Sequence, residues 1–329
     1  MKLDRSFIRL PYRFDAERMA AEVAGLPGSA WITHPAAFKG NSAVPLVSRD
    51  GGRNDDFHGA MSVTPYLEEC RYLQQVMASF GEVLGRSRLM KLAAGAEVVA
   101  HVDFNYHWYT RVRIHVPVIT NPAVQFHCGK DSLHMQAGEC WIFNSWRRHR
   151  VVNDSEQDRV HLVIDAAGSS RFWATVRQMQ CFDPVADREA IESRISDVSY
   201  EAGRSVEILT EAFNVSPVMA PGEVDALTRE IIADFESHAG NDPVLVSQYR
   251  DLLQDFARDW REIWHLFGFR KEGWSRYRAA IDNVQRKLDP DNRALLTQSN
   301  EVGVNPIIVQ RVLRAALAED QWERFVSPG

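Results

Sequence analysis

The chain has 329 residues, of which 45% are hydrophobic and 25% are charged, and its formal net charge is −6. This composition is typical of a globular protein, and the length allows a large core and more than one domain. The acidic balance argues against a general nucleic-acid or anionic-membrane surface, so we expect neither partner.

The sequence also indicates a cellular location. Its N-terminal residues carry charges throughout and include no apolar core of signal-peptide length, and no stretch is long enough to cross a bilayer. Cys70, Cys128, Cys140 and Cys181 have neither CxxC spacing nor the density of a disulfide scaffold. We therefore predict a reducing, cytoplasmic location.

The first part of the chain, up to about residue 85, mixes short apolar runs with turns. Within it, the segment VPLVSRDGGRNDD from Val44 to Asp56 is polar and rich in glycine, which predicts a loop. An ordinary surface loop and a lid over a site both fit this pattern. As a lid it would bring Arg49 and Arg53 to a substrate.

Residues 86–168 have the alternation of β-strands. In the strand predicted at residues 111–116, Arg111, Arg113 and His115 share one face, and the intervening apolar residues share the other. The same alternation recurs at residues 159–165. A polar face opposite an apolar face fits a small barrel or double-sheet jelly roll whose mouth holds a ligand.

A short turn is predicted between two of these strands. Residues 153–157, NDSEQ, have turn composition and separate His149 from Arg159. We therefore expect the His149 strand and the Arg159 strand to form one hairpin, which would bring both side chains to the same cavity.

The chain turns helical from about residue 170. Apolar residues recur at three- and four-residue steps in segments 224–235, 249–267 and 274–288, and each segment predicts an amphipathic helix. We divide the chain into a jelly-roll domain, residues 1–200, and a helical C-terminal domain of unassigned role, residues 201–329. The C-terminal helices are a candidate homodimer interface.

The pattern that most clearly indicates a functional site is the triplet His101-Val102-Asp103 followed by His149. Two imidazoles and one carboxylate hold a non-haem Fe(II) on one face and leave the opposite face open. Residues i and i+2 of a strand point the same way, so His101 and Asp103 can reach one ion. Arg159, ten residues after His149, has the planar fork that grips carboxylates.

Two alternatives remain open at the level of residues. Seven of the eleven histidines lie between His101 and His161, and His161 is the main rival of His149, with Arg171 ten residues beyond it. Arg171 opens a predicted helix outside the sheet, which favours His149. The same ligand types also serve catalytic zinc, so a zinc-dependent hydrolase or a non-catalytic metal-binding cupin is the competing interpretation, although no HExxH motif is present.

Three segments, HVDFNYHWYTRVRIHVPV, GECWIFNSWRRHRVVN and DRVHLVIDA, resemble the aspartyl/asparaginyl β-hydroxylase family of Fe(II)- and 2-oxoglutarate-dependent dioxygenases. The resemblance extends over roughly residues 30–168. The family's best-known animal members have a small residue where this chain has Asp103, so the chain is more similar to the bacterial amino-acid hydroxylases, among them the proline cis-hydroxylases.

The resemblance implies a mainly β fold with helices: a double-stranded β-helix, or jelly-roll barrel of cupin type, before the helical domain. It implies that His101, Asp103 and His149 ligate Fe(II), that Arg159 and His115 bind 2-oxoglutarate, and that O2 is the second co-substrate. Substrate-binding candidates are Arg111 and Arg113, with Arg53 added from the predicted lid.

The expected activity is hydroxylation of an unactivated C–H of an amino acid or amino-acid derivative, with release of succinate and CO2. Hydroxylation of an Asp or Asn residue in a peptide or protein is the alternative within the family. A regulatory alternative comes from residues 300–313, which have the spacing of a helix-turn-helix with Gln310 and Arg311 exposed to DNA. Two ordinary packed helices are the simpler interpretation in an acidic chain.

Overall fold

The computed structural model describes residues 2–33 and 40–323. The described residues form two compact units. The first comprises residues 1–103 and 110–212, and the second comprises residues 104–109 and 213–329, apart from the positions outside the described ranges. The predicted domain boundary at residue 200 stays a prediction.

The first unit is built mainly from β-strands. In chain order they are β1 (Phe7–Phe14), β2 (Ile32–Thr33), β3 (Asn41–Arg49), β4 (Met61–Val63), β5 (Leu84–Leu92), β6 (Glu97–His101), β7 (Val112–Ile119), β8 (Val124–Cys128), β9 (Asp131–Leu133), β10 (Glu139–Phe143), β11 (His149–Asn153), β12 (Arg159–Ala166) and β13 (Ser196–Val198).

The helices complete both units. They are α1 (Ala16–Gly25), α2 (Pro65–Glu68), α3 (Arg71–Ser79), α4 (Tyr106–Thr110), α5 (Ser170–Met179), α6 (Arg188–Glu192), α7 (Pro221–Glu236), α8 (Pro243–Phe267), α9 (Trp274–Lys287), α10 (Val304–Ile307) and α11 (Arg314–Ala316), with a π-helix over Ile308–Leu313 between the last two. Within the described residues, no helix combines the length and the apolar character needed to span a bilayer.

The strands form two sheets. The larger has the order β13-β1-β10-β7-β12-β5-β3-β2 with β4 beside β3, and the smaller has the order β6-β11-β8-β9. Phe7, Leu92 and Phe143 of the larger sheet share a buried apolar cluster with Phe126 and Val151 of the smaller one. The predicted double-sheet jelly-roll architecture with helices is therefore confirmed. The described strands remain two sheets and do not close into a continuous barrel.

A second, larger core fills the opposite face of the large sheet. It joins alternate residues of the central strands, such as Ile114 and Leu162, to the apolar faces of α1, α3 and α5. Each fully buried residue of this kind stabilises the fold by roughly 1.5–3 kcal/mol. The alternation seen in the sequence has this origin, because apolar side chains face the helices and polar side chains face the smaller sheet.

Two predictions about local structure were wrong. Val44 to Arg49 belong to strand β3, which pairs with β5 up to Val47 and with β4 from Val47 to Arg49, so the loop begins only at Asp50. Strands β11 and β12 do not pair with one another: β11 pairs with β6 and β8, whereas β12 pairs with β5 and β7. The turn at 153–157 therefore carries the chain from one sheet to the other, and the expected hairpin does not form.

The second unit is helical, and its core comes from the predicted amphipathic faces. Phe235 of α7, Trp260 of α8 and Tyr277 of α9 are buried, and the Trp260 indole donates to the carbonyl of Met219 at 2.9 Å. The three helices predicted at 224–288 are thus confirmed. Gly303 precedes α10 at a close approach, because a Cβ there would collide with the carbonyl oxygen of Asn292.

Candidate metal and co-substrate site

His101, Asp103 and His149 come together in the smaller sheet. His149 is directly opposite His101 across the β6–β11 pair, and the two ring centroids are 4.2 Å apart. One oxygen of Asp103 lies 3.8 Å from Nε2 of His101, and the other lies 3.7 Å from Nε2 of His149. One ligand atom from each residue lies within 4.8 Å of the others, the arrangement of a three-ligand metal site.

The turn between β10 and β11 places two of these residues. Its Asn144 side chain accepts from the backbone N–H of Trp146 at 3.2 Å and donates to the carbonyl of Leu3 at 2.6 Å. Strand β11 begins at His149, directly after this turn. Within the turn, the carbonyl of Ser145 accepts from the backbone N–H of Asp103 at 3.0 Å. One local structure therefore fixes the relative positions of a histidine and the carboxylate.

The hydrogen bonds of the two histidines fix their tautomers. Nδ1 of His101 donates to the carbonyl of Val99 at 2.8 Å, and Nδ1 of His149 donates to the carbonyl of Arg147 at 2.9 Å. A carbonyl can only accept, so Nδ1 carries a proton in both rings, and in a neutral His149 ring Nε2 presents its lone pair toward Asp103. Burial lowers the pKa of His149 to about 4, which keeps this ring neutral near pH 7.

The carboxylate is held in its charged form. Burial by itself would raise the pKa of Asp103, but Arg113, with a guanidinium nitrogen 3.1 Å from Oδ2, and the two histidines outweigh burial and lower it. Among the described residues, neither Oδ2 of Asp103 nor Nε2 of His149 has a hydrogen-bond partner. Two buried acceptors that face each other 3.7 Å apart are what a shared cation would satisfy.

Arg159 opens β12 as a buried cation. One guanidinium nitrogen donates to Nδ1 of His161 at 2.7 Å, and burial lowers the Arg159 pKa to about 9. Within the described part of the chain, no carboxylate pairs with Arg159, and its Nε has no hydrogen-bond partner. An isolated buried charge is expensive, so this guanidinium fits an anionic ligand.

Two histidines add donors beside this guanidinium. Nδ1 of His161 accepts from Arg159, so its proton lies on Nε2, which lacks a partner among the described residues, as do both ring nitrogens of His115. Burial lowers the pKa of each ring well below its usual value, with Arg159 acting in the same direction. Neutral imidazoles with unused N–H groups next to an unpaired guanidinium form a suitable cradle for a carboxylate.

Ring contacts connect the cation to the metal-ligand cluster. The centroid of His161 is 5.8 Å from that of His115, His115 is 5.3 Å from Phe143, and Phe143 is 4.8 Å from His149. Phe126 also contacts both His115 and His149. A chain of buried ring contacts thus leads from the carboxylate cradle to the three-residue cluster.

The arginines predicted to bind substrate have different surroundings. Arg111 makes a buried bidentate ion pair with Glu211, at 2.7 and 2.8 Å. Arg113 contacts Asp103, as described above. Arg53 lies in the exposed loop and donates to the carbonyls of Ser29 and Trp31. Substrate binding by these three arginines stays a prediction.

The sequence reasoning missed a charge network behind Arg113. Asp165 lies 4.0 Å from Arg113 and 3.5 Å from Arg86, and Asp55 lies 2.8 Å from Arg86 and 2.6 Å from Arg88. Asp165 shares the polar face of β12 with Arg159, a signal visible in the alternation. No sequence signal indicated that a carboxylate of the 50–60 loop would reach two buried arginines.

Comparison with known proteins identifies the segment that carries this site. Residues 52–168 match the sequence model of the family described as Aspartyl/Asparaginyl beta-hydroxylase. All three members of the metal-ligand cluster, together with Arg159 and His115, lie inside that range. Residues 52–168 are thus similar to an aspartyl/asparaginyl β-hydroxylase domain.

Two curated relatives align with a longer part of the chain than this β-hydroxylase domain. L-proline cis-4-hydroxylase of Rhizobium meliloti (strain 1021) is 23% identical over 190 residues, covering 55% of this chain and 67% of the relative. L-proline cis-3-hydroxylase 2 of Streptomyces sp is 26% identical over 186 residues, covering 51% and 62%. The chain thus spans about two thirds of the length of the curated relatives it matches.

Among solved structures, a 2OG-Fe(II) oxygenase family oxidoreductase from Burkholderia pseudomallei matches with a TM-score of 0.34 and 13% identity, covering 46% of this chain and 78% of that one. The family match and the curated hydroxylases confirm the predicted class of the β-hydroxylase domain, a 2-oxoglutarate-dependent non-haem iron dioxygenase.

Proposed function

We propose that this protein hydroxylates an unactivated C–H of an amino acid or amino-acid derivative. The reaction consumes the substrate, 2-oxoglutarate and O2, and it yields the hydroxylated product, succinate and CO2. One oxygen atom of O2 enters the product and the other enters succinate. The observation that carries the proposal is the convergence of the His101, Asp103 and His149 ligand atoms.

In this proposal, His101, Asp103 and His149 hold Fe(II). The donor set fits the ion, because two imidazoles and one carboxylate bind Fe(II) on one face. When bound, Fe(II) supplies O2 activation coupled to the decarboxylation of 2-oxoglutarate. The backbone carbonyls of Val99 and Arg147 orient the two imidazoles, and partners of this kind typically fix the ligand tautomer.

Arg159 is proposed to bind the distal carboxylate of 2-oxoglutarate, and His115 and His161 are proposed to donate to the same co-substrate. Support comes from the unpaired donors of all three side chains within the described residues. His161 holds the guanidinium in place through its Nδ1. A buried, charge-assisted site of this kind gives strong and geometrically specific carboxylate recognition.

The surrounding side chains exclude water from the reacting centre. Phe126 and Phe143 are buried against His115 and His149. A dry site strengthens the interactions of Arg159 and Asp103 with charged ligands. Because Asp103 supplies a carboxylate ligand, no ligand position is left for a halide, and we expect hydroxylation and no halogenation.

The substrate class rests on the curated relatives. Both are named as hydroxylases of L-proline, so free L-proline is the first compound to test. Arg113, which lies 3.1 Å from Asp103 and 4.0 Å from Asp165, is the proposed contact for the substrate carboxylate. N-acylated and peptide-borne amino acids are the other members of the class.

The test is an anaerobic titration of the full chain with Fe(II) and 2-oxoglutarate, followed by a succinate-release screen in air. We expect a weak visible charge-transfer band and succinate release that increases with an amino-acid substrate. His149→Ala is the control and is expected to show neither. Tight zinc binding with hydrolysis, and without the band or succinate, would establish the zinc hydrolase alternative.

A further inference from the structure

The loop between β3 and β4, residues 50–60, has a shape that is set by its own polar contacts. The Asn54 side chain donates to the carbonyl of Arg49 at 2.9 Å and accepts from the backbone N–H of Asp56 at 3.3 Å. Asp55 lies between these two residues, and its side chain is 13% exposed. The loop therefore turns one of its carboxylates inward, toward the large sheet.

Asp55 contacts two arginines of strand β5. Its Oδ1 lies 2.8 Å from Nη1 of Arg86 and 2.6 Å from Nη1 of Arg88. Nη1 of Arg86 also donates to the backbone carbonyl of Asp55 at 3.0 Å, and the Arg86 guanidinium carbon lies 4.1 Å from the ring centroid of Phe57. Both arginines are buried. One loop carboxylate thus covers the two buried cations, which we call the arginine pair.

The arginine pair is costly for a role in packing alone. Burial, followed by the neighbouring Arg88, lowers the pKa of Arg86 to about 9, and burial also lowers the pKa of Arg88. Apolar residues of similar volume would avoid this cost. Among the residues that the structure describes, Asp55 is the one side chain that accepts a hydrogen bond from Arg88. The arginine pair therefore has the chemistry of a carboxylate-binding position, and Asp55 fills it.

The arginine pair shares a sheet face with the candidate site. Arg88 of β5 lies directly opposite Val163 of β12, which lies directly opposite His115 of β7. Residues directly opposite one another in neighbouring strands project to the same side of the sheet. Arg86, two residues before Arg88, projects to that side as well. The pair is therefore two strands from His115, on the face that carries the proposed co-substrate contacts.

Ion pairs connect Arg86 to the metal-ligand cluster. Nε of Arg86 lies 3.5 Å from Asp165, which lies 4.0 Å from Nε of Arg113. Nη1 of Arg113 in turn lies 3.1 Å from Asp103. With the other arginine of the pair and the loop carboxylate, this network comprises three cations and three carboxylates. Its formal charges therefore balance.

The balance changes when Asp103 serves as a metal ligand. Its carboxylate is then committed to the metal ion, and the rest of the network has three cations and two carboxylates. One substrate carboxylate at Arg113 restores the balance. A second substrate carboxylate would compete with Asp55 for the arginine pair, and a like charge already in place is an effective element of selection against such a ligand.

We infer that Asp55 is a specificity-determining residue, which fills the carboxylate position at Arg86 and Arg88 and so selects amino acids with one carboxylate over dicarboxylic ones. The inference rests on the proposed function, since it concerns the substrate of that reaction. It narrows the substrate class to monocarboxylic amino acids and excludes free aspartate and glutamate.

The first experiment tests the carboxylate position without catalysis. Asp55→Ala removes the carboxylate and leaves a space beside the arginine pair that formate fits. We expect formate to raise the Tm of Asp55→Ala with a saturable dependence on its concentration, relative to equal concentrations of chloride. Asp56→Ala removes an exposed carboxylate of the same loop, paired with Arg49, and is the matched control beside the wild type. A response of Asp55→Ala no larger than that of these two proteins would overturn the inference.

The second experiment measures succinate release by the full chain with Fe(II) and 2-oxoglutarate. L-aspartate and L-glutamate are compared with the monocarboxylic amino acid that gives the highest wild-type rate. We expect the wild type to favour the monocarboxylic amino acid. In Asp55→Ala the ratio of the kcat/KM values should shift by about tenfold toward the dicarboxylic ones, the effect of one buried charged hydrogen bond. Asp56→Ala should keep the wild-type ratio. A wild type that uses L-aspartate or L-glutamate as well as any monocarboxylic amino acid would overturn the inference.

The second experiment also separates this inference from the proposed function. If no amino acid increases succinate release by the wild type, the proposed function is wrong, and the inference falls with it. If the wild type uses a monocarboxylic amino acid and Asp55→Ala keeps the wild-type ratio, only the inference about Asp55 is wrong. Should Asp55→Ala not fold, Asp55→Ser, which also vacates the carboxylate position, replaces it in both experiments with the same criteria.

Discussion

Nε2 of His149 lies 3.7 Å from Oδ2 of Asp103, and neither atom has a hydrogen-bond partner among the described residues. The Nδ1 proton of His149 is committed to the carbonyl of Arg147, so the two facing atoms are both acceptors. A guanidinium nitrogen of Arg113 lies 3.1 Å from Oδ2 and compensates its charge, but neither facing atom receives a hydrogen bond, and a cation bound between them would satisfy both. The relationship is therefore the strongest structural indication of a metal site in this chain.

The assignment of His149 as a ligand can be tested against His161. We expect His149→Ala to abolish both metal binding and succinate release, because it removes one of three ligand atoms. His161→Ala is expected to bind metal as the wild type does, since Nδ1 of His161 accepts from Arg159 and the three ligand atoms come from His101, Asp103 and His149. Metal titration and a succinate assay measure both effects, and the reverse pattern would refute the ligand assignment.

Arg159→Ala should affect 2-oxoglutarate much more than the prime substrate. Loss of a buried charged hydrogen bond costs roughly 1.5–3 kcal/mol, so the KM for 2-oxoglutarate should rise by about tenfold to a hundredfold. Steady-state succinate assays with each substrate varied in turn measure this. Arg150→Ala, at an exposed position of β11, is the matched control with unchanged kinetics. An equal rise in both KM values for Arg159→Ala would argue against a co-substrate clamp.

The stability of the metal-free protein should depend on the pH through His161. Burial and Arg159 place its pKa in the folded protein well below the usual value of 6.5, so the unfolded chain binds a proton that the folded chain does not. The contribution of a neutral His161 to the free energy of unfolding is therefore fully present above about pH 6.5. It decreases as the pH is lowered, by up to about 1.4 kcal/mol per pH unit for this one proton.

Urea unfolding at pH 7 and pH 5 measures this dependence. His161→Gln has no titrating ring, and the difference in its free energy of unfolding between the two pH values should be smaller than in the wild type. His265→Gln removes an exposed histidine and should leave the difference unchanged. A wild-type pH dependence in His161→Gln would contradict the prediction.

The Arg111–Glu211 ion pair should be important for stability. Glu211→Ala leaves a buried guanidinium without its carboxylate, and the free energy of unfolding should fall by about 3–5 kcal/mol. The double variant Arg111→Met with Glu211→Leu replaces both charges and should recover most of that loss. Urea unfolding measures each variant, and additive losses in the double variant would show that the two residues are not coupled.

The strand pattern of the sequence predicted much of the site. Alternation placed His115 and Arg113 on the polar face of one strand, and Arg159 on the polar face of another, and the structure has each there. The i and i+2 spacing of His101 and Asp103 likewise predicted that both would reach one point, although β6 ends at His101. Such features are local, because the pleat of a strand alone determines which side chains share a face.

Pairing between distant segments was not predictable in the same way. The turn 153–157 was correctly predicted as a turn, but the hairpin was wrong because β11 and β12 take partners from different sheets. The partners of Arg111, Arg86 and Arg311 were also missed. An arginine in a polar pattern gives the same sequence signal whether it faces solvent, a substrate or a buried carboxylate.

The sequence by itself determined the ligand types, the strand faces and the three long amphipathic helices, since these depend on residue chemistry and on the periods of the backbone. Only the tertiary structure decided that His149 lies opposite His101, that Arg159 has His161 and no described carboxylate beside it, and that Arg311 holds the carbonyl of Phe104. These relationships join residues up to 207 positions apart. They depend on which segments bury surface together, and no local pattern records that choice.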